Sequence, residues 1–129
     1  MIAADTSTWI AFLQGNSGQD VQLLDQALQE RQVLMVPVVL TELLSDPKLP
    51  PAIAKILSDV PMIEIPEGYW TRAGFLRAQA LTRHRKARLG DALIAQCCID
   101  RRIPLLTRDR DFRTFADAAG LHLMMTTSD

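Results

Sequence analysis

Cysteine is nearly absent from this chain, and its placement excludes two kinds of site. The only two cysteines, Cys97 and Cys98, are adjacent within a helical pattern and have no spaced partner. A disulfide framework and a cysteine-based zinc site both need spaced cysteines, so neither is expected. We predict instead that both are small apolar core residues in a reducing compartment.

Long apolar runs are also missing. No segment approaches the ~20 apolar residues that span a bilayer, and no basic segment followed by an apolar stretch and a cleavage site marks the N-terminus. We therefore expect no membrane segment and no export, and predict a cytoplasmic protein. The 129 residues, 48% hydrophobic and 22% charged, are typical of one soluble globular domain spanning residues 1–129.

Net charge is only −1, yet the charges are unevenly distributed. Residues 1–70 carry a balance of −6, whereas residues 71–113 carry +7, and no acid lies between residues 71 and 88. A basic stretch of this kind can bind phosphate backbones without reading sequence. It is equally typical of a solvated helix face, and both interpretations stay open.

Short β-rich runs alternate with longer helical patterns, which predicts βα units around a parallel sheet. The expected strands cover residues 1–5, 33–36, 62–65, 104–107 and 121–125. The helical pattern over residues 69–84 places Trp70, Ala73, Leu76, Ala80 and Leu81 on its apolar side. The predicted fold class is α/β, with one three-layer α/β/α domain and a central parallel sheet of four to five strands.

Separated acids stand where an apolar segment ends or a helix begins: Asp5, Glu42, Asp91 and the pair Asp109 and Asp111. Strand ends on one side of an open parallel sheet converge on a crevice, so these side chains can meet in space. Converged carboxylates are costly to ionise together unless a cation neutralises them. Because all-oxygen ligand sets favour magnesium or manganese, we predict a divalent-metal site for phosphate-ester chemistry.

Four motifs in this order resemble the PIN-domain family, and more narrowly the VapC toxins of bacterial type II toxin–antitoxin systems. They are Met1-Ile2-Ala3-Ala4-Asp5-Thr6-Ser7, Leu40-Thr41-Glu42-Leu43-Leu44, Leu89-Gly90-Asp91-Ala92-Leu93-Ile94-Ala95 and Leu105-Leu106-Thr107-Arg108-Asp109-Arg110-Asp111-Phe112. The resemblance covers essentially the whole chain. It implies a PIN fold and an Mg²⁺- or Mn²⁺-dependent endoribonuclease that often cuts one structured RNA, such as a tRNA.

The resemblance also implies a role for each acid. Asp5 and Asp91 would be direct metal ligands, and Glu42 would bind metal through water or orient the attacking water. Both Asp109 and Asp111 fit the fourth acid; Asp109 is slightly favoured as the metal ligand because it lies nearer the strand end. This chemistry needs no histidine, which fits a chain with only two.

Four more expectations concern the surroundings of the acids. Ser7 and Thr107 match hydroxyl positions that would hold waters or carboxylates in place. The basic residues expected to contact RNA are Arg83, Arg85, Lys86 and Arg88. A small VapB-like antitoxin would place its C-terminal segment in the active-site groove. The family often forms homodimers, for which Trp9, Phe12 and Leu13 are candidate contacts.

Two other interpretations remain. A PIN-like module that binds RNA or protein without cutting it would keep the fold, although such a protein would be expected to lose an acid. A phosphatase of the aspartyl-phosphate type is disfavoured, because Ser7 stands where its second aspartate is needed.

Overall fold

Short strands and longer helices alternate along residues 1–125, the part of the chain that the structure, a computed structural model, describes. The strands are β1 (Ala3–Ala4), β2 (Leu105–Thr107) and β3 (Leu123–Met125). The helices are α1 (Thr6–Leu13), α2 (Gln19–Gln29), α3 (Pro37–Leu44), α4 (Pro51–Asp59), α5 (Tyr69–Thr82), α6 (Leu89–Arg101) and α7 (Arg113–Ala119), with a 3₁₀ helix at Arg110–Phe112. Helices dominate, and no described helix has the length and apolar character that crossing a membrane requires.

The sheet is parallel, as predicted, with β2 between β1 and β3. Ala3 pairs with Leu105, and Leu106 pairs with Met124. All of these strand residues with a described side chain are buried or half-buried, which explains why the strands read as continuous apolar runs. The carboxyl ends of β1 and β2 lie side by side, so Asp5 and Thr107 become neighbours.

The prediction of four to five strands is wrong for the described residues, which form a three-stranded sheet. The expected strands at 33–36 and 62–65 contribute only isolated parallel bridges, Ile2 with Val33 and Met35 with Met62. Pro37 begins α3 immediately after the first of these segments. Pro61 stands at the start of the other and offers no N–H to extend a ladder.

The core is formed by aliphatic and aromatic side chains from the sheet and from the helices packed against it. Cys97 and Cys98 are both buried and unbridged, as predicted. On α5 the buried side consists of Tyr69, Ala73, Leu76 and Ala80, a spacing of one helix face. Including Trp70 and Leu81 in that apolar side was wrong, because 68% of Trp70 and 46% of Leu81 are exposed.

Candidate active site

Asp5 lies between β1 and α1 and caps the helix, a position at which aspartate is strongly preferred. Its Oδ1 accepts the Thr8 amide at 3.0 Å, and the Ser7 hydroxyl lies 2.9 and 2.8 Å from the two carboxylate oxygens. The Thr107 hydroxyl donates to Oδ2 at 2.7 Å. Only 2% of Asp5 is exposed. Burial raises its pKa, and the hydrogen bonds from Thr107, Thr8 and Ser7 offset only part of that effect.

Asp91 lies in the first turn of α6, which Arg88 precedes as the N-terminal cap residue. Burial raises the pKa of Asp91 to about 6, and the neighbouring carboxylate of Asp109 contributes to the rise. The positive charge of Arg88 opposes this shift, while Asp5 adds to it. The carboxylates that the sequence pattern predicted to converge therefore lie close enough to disfavour the ionisation of one another.

Asp109 and Asp111 follow β2 in a short, hydrogen-bonded turn. The Asp109 amide donates to the Thr107 hydroxyl at 2.9 Å, and the Asp111 amide donates to Asp109 Oδ1 at 2.9 Å. One carboxylate oxygen from each of Asp91, Asp109 and Asp111 lies within 4.8 Å of the others. Lys86 Nζ lies 3.2 Å from Asp111 Oδ2, so this acid already has a cationic neighbour.

Glu42 reaches the same place from α3. It is exposed and accepts a hydrogen bond from the Thr6 hydroxyl at 2.7 Å. A cleft of about 200 Å³ is lined by Asp5, Thr6, Ser7, Ile10, Glu42, Arg88, Asp91, Ile94 and Asp109. Four of the five sequence-predicted acids thus line one cleft, although they come from four separate segments of the chain.

Asp109 and Asp111, the two candidates for the fourth acid, differ in their position relative to the cleft. Asp109 belongs both to the close acidic trio and to the cleft lining, whereas Asp111 belongs only to the trio. Asp5, predicted as a metal ligand, lines the cleft but does not join the trio. The combined donor set is entirely oxygen and carries several negative charges, which fits a hard divalent cation.

The four basic residues predicted to contact RNA lie at or beyond the end of α5, in the connection to α6. All four, Arg83, Arg85, Lys86 and Arg88, are exposed. Arg85 pairs with Asp117 at 3.1 Å. These four residues lie in a loop rather than on a helix, whereas Arg72, in the same basic stretch, lies on α5 and holds Asp100 at 2.7 Å.

Two buried residues bear on the surroundings of the site. Asp20, an acid that the sequence pattern does not distinguish from an ordinary helix-end charge, lies in the first turn of α2 and is only 1% exposed. It accepts two hydrogen bonds from Arg108 and one from Thr8. No sequence signal links these residues, since 88 positions separate Asp20 from Arg108. Trp9, a candidate dimer contact, is 1% exposed and is a core residue.

Comparisons with known proteins identify the family and the fold of this chain. Residues 2–118 match the PIN domain. A chain in the crystal structure of VapBC-5, a toxin–antitoxin system from Mycobacterium tuberculosis, is 23% identical, with a TM-score of 0.69 over 97% of this chain and 98% of that one. A chain of VapBC2 from Rickettsia felis, bound to a promoter DNA fragment, is 18% identical, with a TM-score of 0.74 over 98% and 100%.

A third similar fold occurs in FitAcB from Neisseria gonorrhoeae, at 19% identity and a TM-score of 0.70 over 95% of this chain and 96% of that one. No curated protein matches the chain in sequence. At these identities the structural likeness establishes the fold over nearly the full length of each chain.

Proposed function

The chain belongs to the PIN domain family, whose members are generally divalent-metal nucleases, and from that premise we propose that it is a toxin-type endoribonuclease. It would hydrolyse RNA phosphodiester bonds with Mg²⁺ or Mn²⁺. One observation carries the proposal: acids from four separate segments, Asp5, Glu42, Asp91 and Asp109, line a single cleft. Burial and the neighbouring carboxylates raise the pKa of Asp91, and a divalent cation bound among these acids would offset that cost of ionisation.

The acids divide into a group that holds the cation and one that acts on water. Asp5, Asp91 and Asp109 would hold the cation, and Asp111 lies beside Asp91 and Asp109 in the trio. A divalent cation bound there would lower the pKa of a water molecule and stabilise charge on the leaving oxygen. Glu42 is the most exposed of the cleft acids, and in this proposal it orients the attacking water.

Hydrogen-bond donors around Asp5 keep its carboxylate in one orientation. The hydroxyls of Ser7 and Thr107 both donate to it, and Thr107 also accepts the Asp109 amide. Thr107 therefore sets the separation of two cleft acids with a single oxygen atom. These partners hold carboxylates in place, as the surroundings of metal ligands commonly do.

The basic loop of Arg83, Arg85, Lys86 and Arg88 would hold the RNA backbone. Arg88 lines the acid cleft itself, and Lys86 contacts Asp111, so this loop lies where a phosphate would enter. Phosphate contacts of this type bind without reading bases. They suit an RNA substrate, such as a tRNA, and do not select one sequence.

The partner we propose is a small VapB-like antitoxin that covers the cleft. A groove of about 430 Å³ runs beside it and shares Glu42; its apolar lining includes Ile10, Leu13, Leu43 and Leu49. Two of the similar structures, VapBC-5 and VapBC2, come from VapBC toxin–antitoxin systems. A homodimer and a cytoplasmic location complete the proposal, by analogy with such systems.

Cleavage of total cellular RNA by the purified protein tests the function. We expect discrete fragments with 5′-phosphate and 3′-hydroxyl ends when Mg²⁺ or Mn²⁺ is present, and none with EDTA. Asp5→Asn should reduce the rate roughly 100-fold or more. The matched control is Asp25→Asn, an exposed acid on α2, which should cut normally. Absence of cleavage in antitoxin-free wild-type protein would favour the non-catalytic binding module instead.

A further inference from the structure

An ion pair between a buried carboxylate and a half-buried arginine joins the start of α2 to the loop that carries Asp109 and Asp111. The Asp20 side chain is 2% exposed and accepts Arg108 Nε at 2.7 Å and Nη2 at 2.8 Å. The Thr8 hydroxyl donates to the same carboxylate at 3.0 Å. Asp20 is thus held by α1 and by the residue that follows β2, in the two-pronged geometry that makes arginine–carboxylate pairs specific.

Both partners of Asp20 are covalently close to groups of the candidate active site. Thr8 also donates its amide to Asp5, and Arg108 stands between Thr107 and Asp109 in the chain. Thr107 in turn donates to Asp5 at 2.7 Å. These five residues, Asp5, Thr8, Asp20, Thr107 and Arg108, form a closed set of contacts that we call the Asp20 network.

The loop between α1 and α2 covers this network tightly. A Cβ atom at Gly18 would lie 2.6 Å from Asp20 Oδ1 and 2.7 Å from Arg108 Nη2, and φ at Gly18 is +149°. Arg108 Nη2 also donates to the Ser17 carbonyl at 3.2 Å. Only glycine fits there without moving the pair. The Arg108 guanidinium is therefore held from two sides, by the Asp20 carboxylate and by the Ser17 carbonyl.

We propose that Asp20 and Arg108 are positioning residues that set the distance from Asp5 to Asp109 and Asp111, and so tune metal binding. This inference rests on the proposed metal-dependent function. The alternative is that the pair contributes only to fold stability. A second forked pair provides the comparison, because Arg72 holds Asp100 with bonds of 3.0 and 2.7 Å. Asp100 lies nine residues beyond Asp91 on α6, about 13 Å along the helix.

Two isosteric variants, Asp20→Asn and Asp100→Asn, separate positioning from stability. By calorimetric titration with Mn²⁺ we expect Asp20→Asn to bind about 10-fold more weakly or worse, the usual cost of disturbing the partners of metal ligands. Asp100→Asn should bind like the wild type, even where its melting temperature falls.

A second readout needs no metal. The amides of Asp109 and Asp111 are hydrogen-bonded to Thr107 and Asp109, so hydrogen exchange reports on this loop directly. In metal-free protein we expect Asp20→Asn to exchange these two amides about 10-fold faster, as weaker local protection predicts. Asp100→Asn should leave them unchanged.

A pair of milder variants keeps the test decisive if Asp20→Asn does not fold. Thr8→Val removes one hydrogen bond to Asp20 and should weaken Mn²⁺ binding. Thr8→Ser retains the hydroxyl and should bind Mn²⁺ like the wild type. Wild-type affinity and exchange in Asp20→Asn or Thr8→Val would overturn the proposal, as would equal effects in Asp100→Asn. If the wild type itself neither binds Mn²⁺ nor cuts RNA, the proposed function fails, and the exchange result still decides whether the network positions the loop.

Discussion

Replacing Asp91 by asparagine should stabilise the metal-free protein at neutral pH while abolishing cleavage. The pKa of Asp91 is raised from 3.8 to about 6 by burial and by Asp109, Asp5 and Asp111. Between these two values the folded state binds more protons than the unfolded chain, so stability falls as pH rises through this window. Because asparagine carries no charge, the variant does not lose this stability as the pH rises.

The magnitude follows from the size of the shift. A difference of about two units corresponds to about 3 kcal/mol at 1.36 kcal/mol per unit. The Asp91 carboxylate is partly accessible to water, and solvent screening reduces this to about 1–2 kcal/mol. For a chain of this length 1 kcal/mol moves the melting temperature by about 4 °C.

Thermal unfolding of both proteins in EDTA, from pH 4 to pH 8, measures the effect. The two melting temperatures should agree near pH 4, diverge as the pH rises from 4 to about 6, and keep a constant difference above pH 6, with Asp91→Asn higher. Added Mg²⁺ should raise the melting temperature of the wild type and leave that of the variant unchanged, because only the wild type retains the full ligand set. A variant that is less stable than the wild type at every pH would refute the reasoning and show that Asp91 has a structural hydrogen-bonding role.

Three further predictions concern the acidic trio and the basic loop. Asp109→Asn should weaken Mn²⁺ binding more than Asp111→Asn in calorimetric titration, because Asp109 belongs to both the trio and the cleft; the reverse order would identify Asp111 as the fourth site acid. Lys86→Met should strengthen Mn²⁺ binding by up to about fivefold, the value of an exposed ion pair, whereas Lys55→Met, which breaks the exposed pair with Asp59, should have no effect. Arg85→Ala should weaken RNA binding to cleavage-inactive protein and reduce the dependence of log Kd on log salt by about 0.7; an unchanged slope, as expected for Lys55→Met, would remove Arg85 from the RNA path.

Asp5 has a structural role in addition to its charge. Its carboxylate accepts the Thr8 amide and the hydroxyls of Ser7 and Thr107, so Asp5→Asn disturbs a helix cap as well as a charge. Loss of a cap commonly costs about 1 kcal/mol. Among residues 1–125, which the structure describes, no such set of donors surrounds Asp91, so Asp91 is the cleaner site for the stability test.

Local patterns predicted most elements because the determinants were local. Gly68 and Gly120, both at positive φ, stand at the ends of α5 and α7, and Pro37 is the first residue of α3. The error on α5 has a similarly local cause. The pattern did not reveal which of the adjacent Tyr69 and Trp70 faces the core, and a shift of one residue rotates a helix by about 100°.

The number of strands in the sheet depended on residues that flank the predicted strands rather than on the strands themselves. Residues 33–36 and 62–65 have the apolar character of buried strands, and each forms a parallel bridge at the expected place. Prolines flank both segments, at positions 37, 61 and 66, and they supply no N–H that could extend either bridge into a ladder.

The sequence by itself determined the chemistry of this protein: the acids, their order, the hydroxyls beside them and the basic run that precedes Asp91. Residue identity sets charge and donor type, and strand ends in a parallel sheet must share one edge. Only the tertiary structure decided which carboxylates approach within 4.8 Å, that Lys86 contacts Asp111, and that Asp20 is buried against Arg108. Those facts depend on contacts between residues far apart in the chain, and the packing of α1, α2 and α6 around the strand ends brings these residues together.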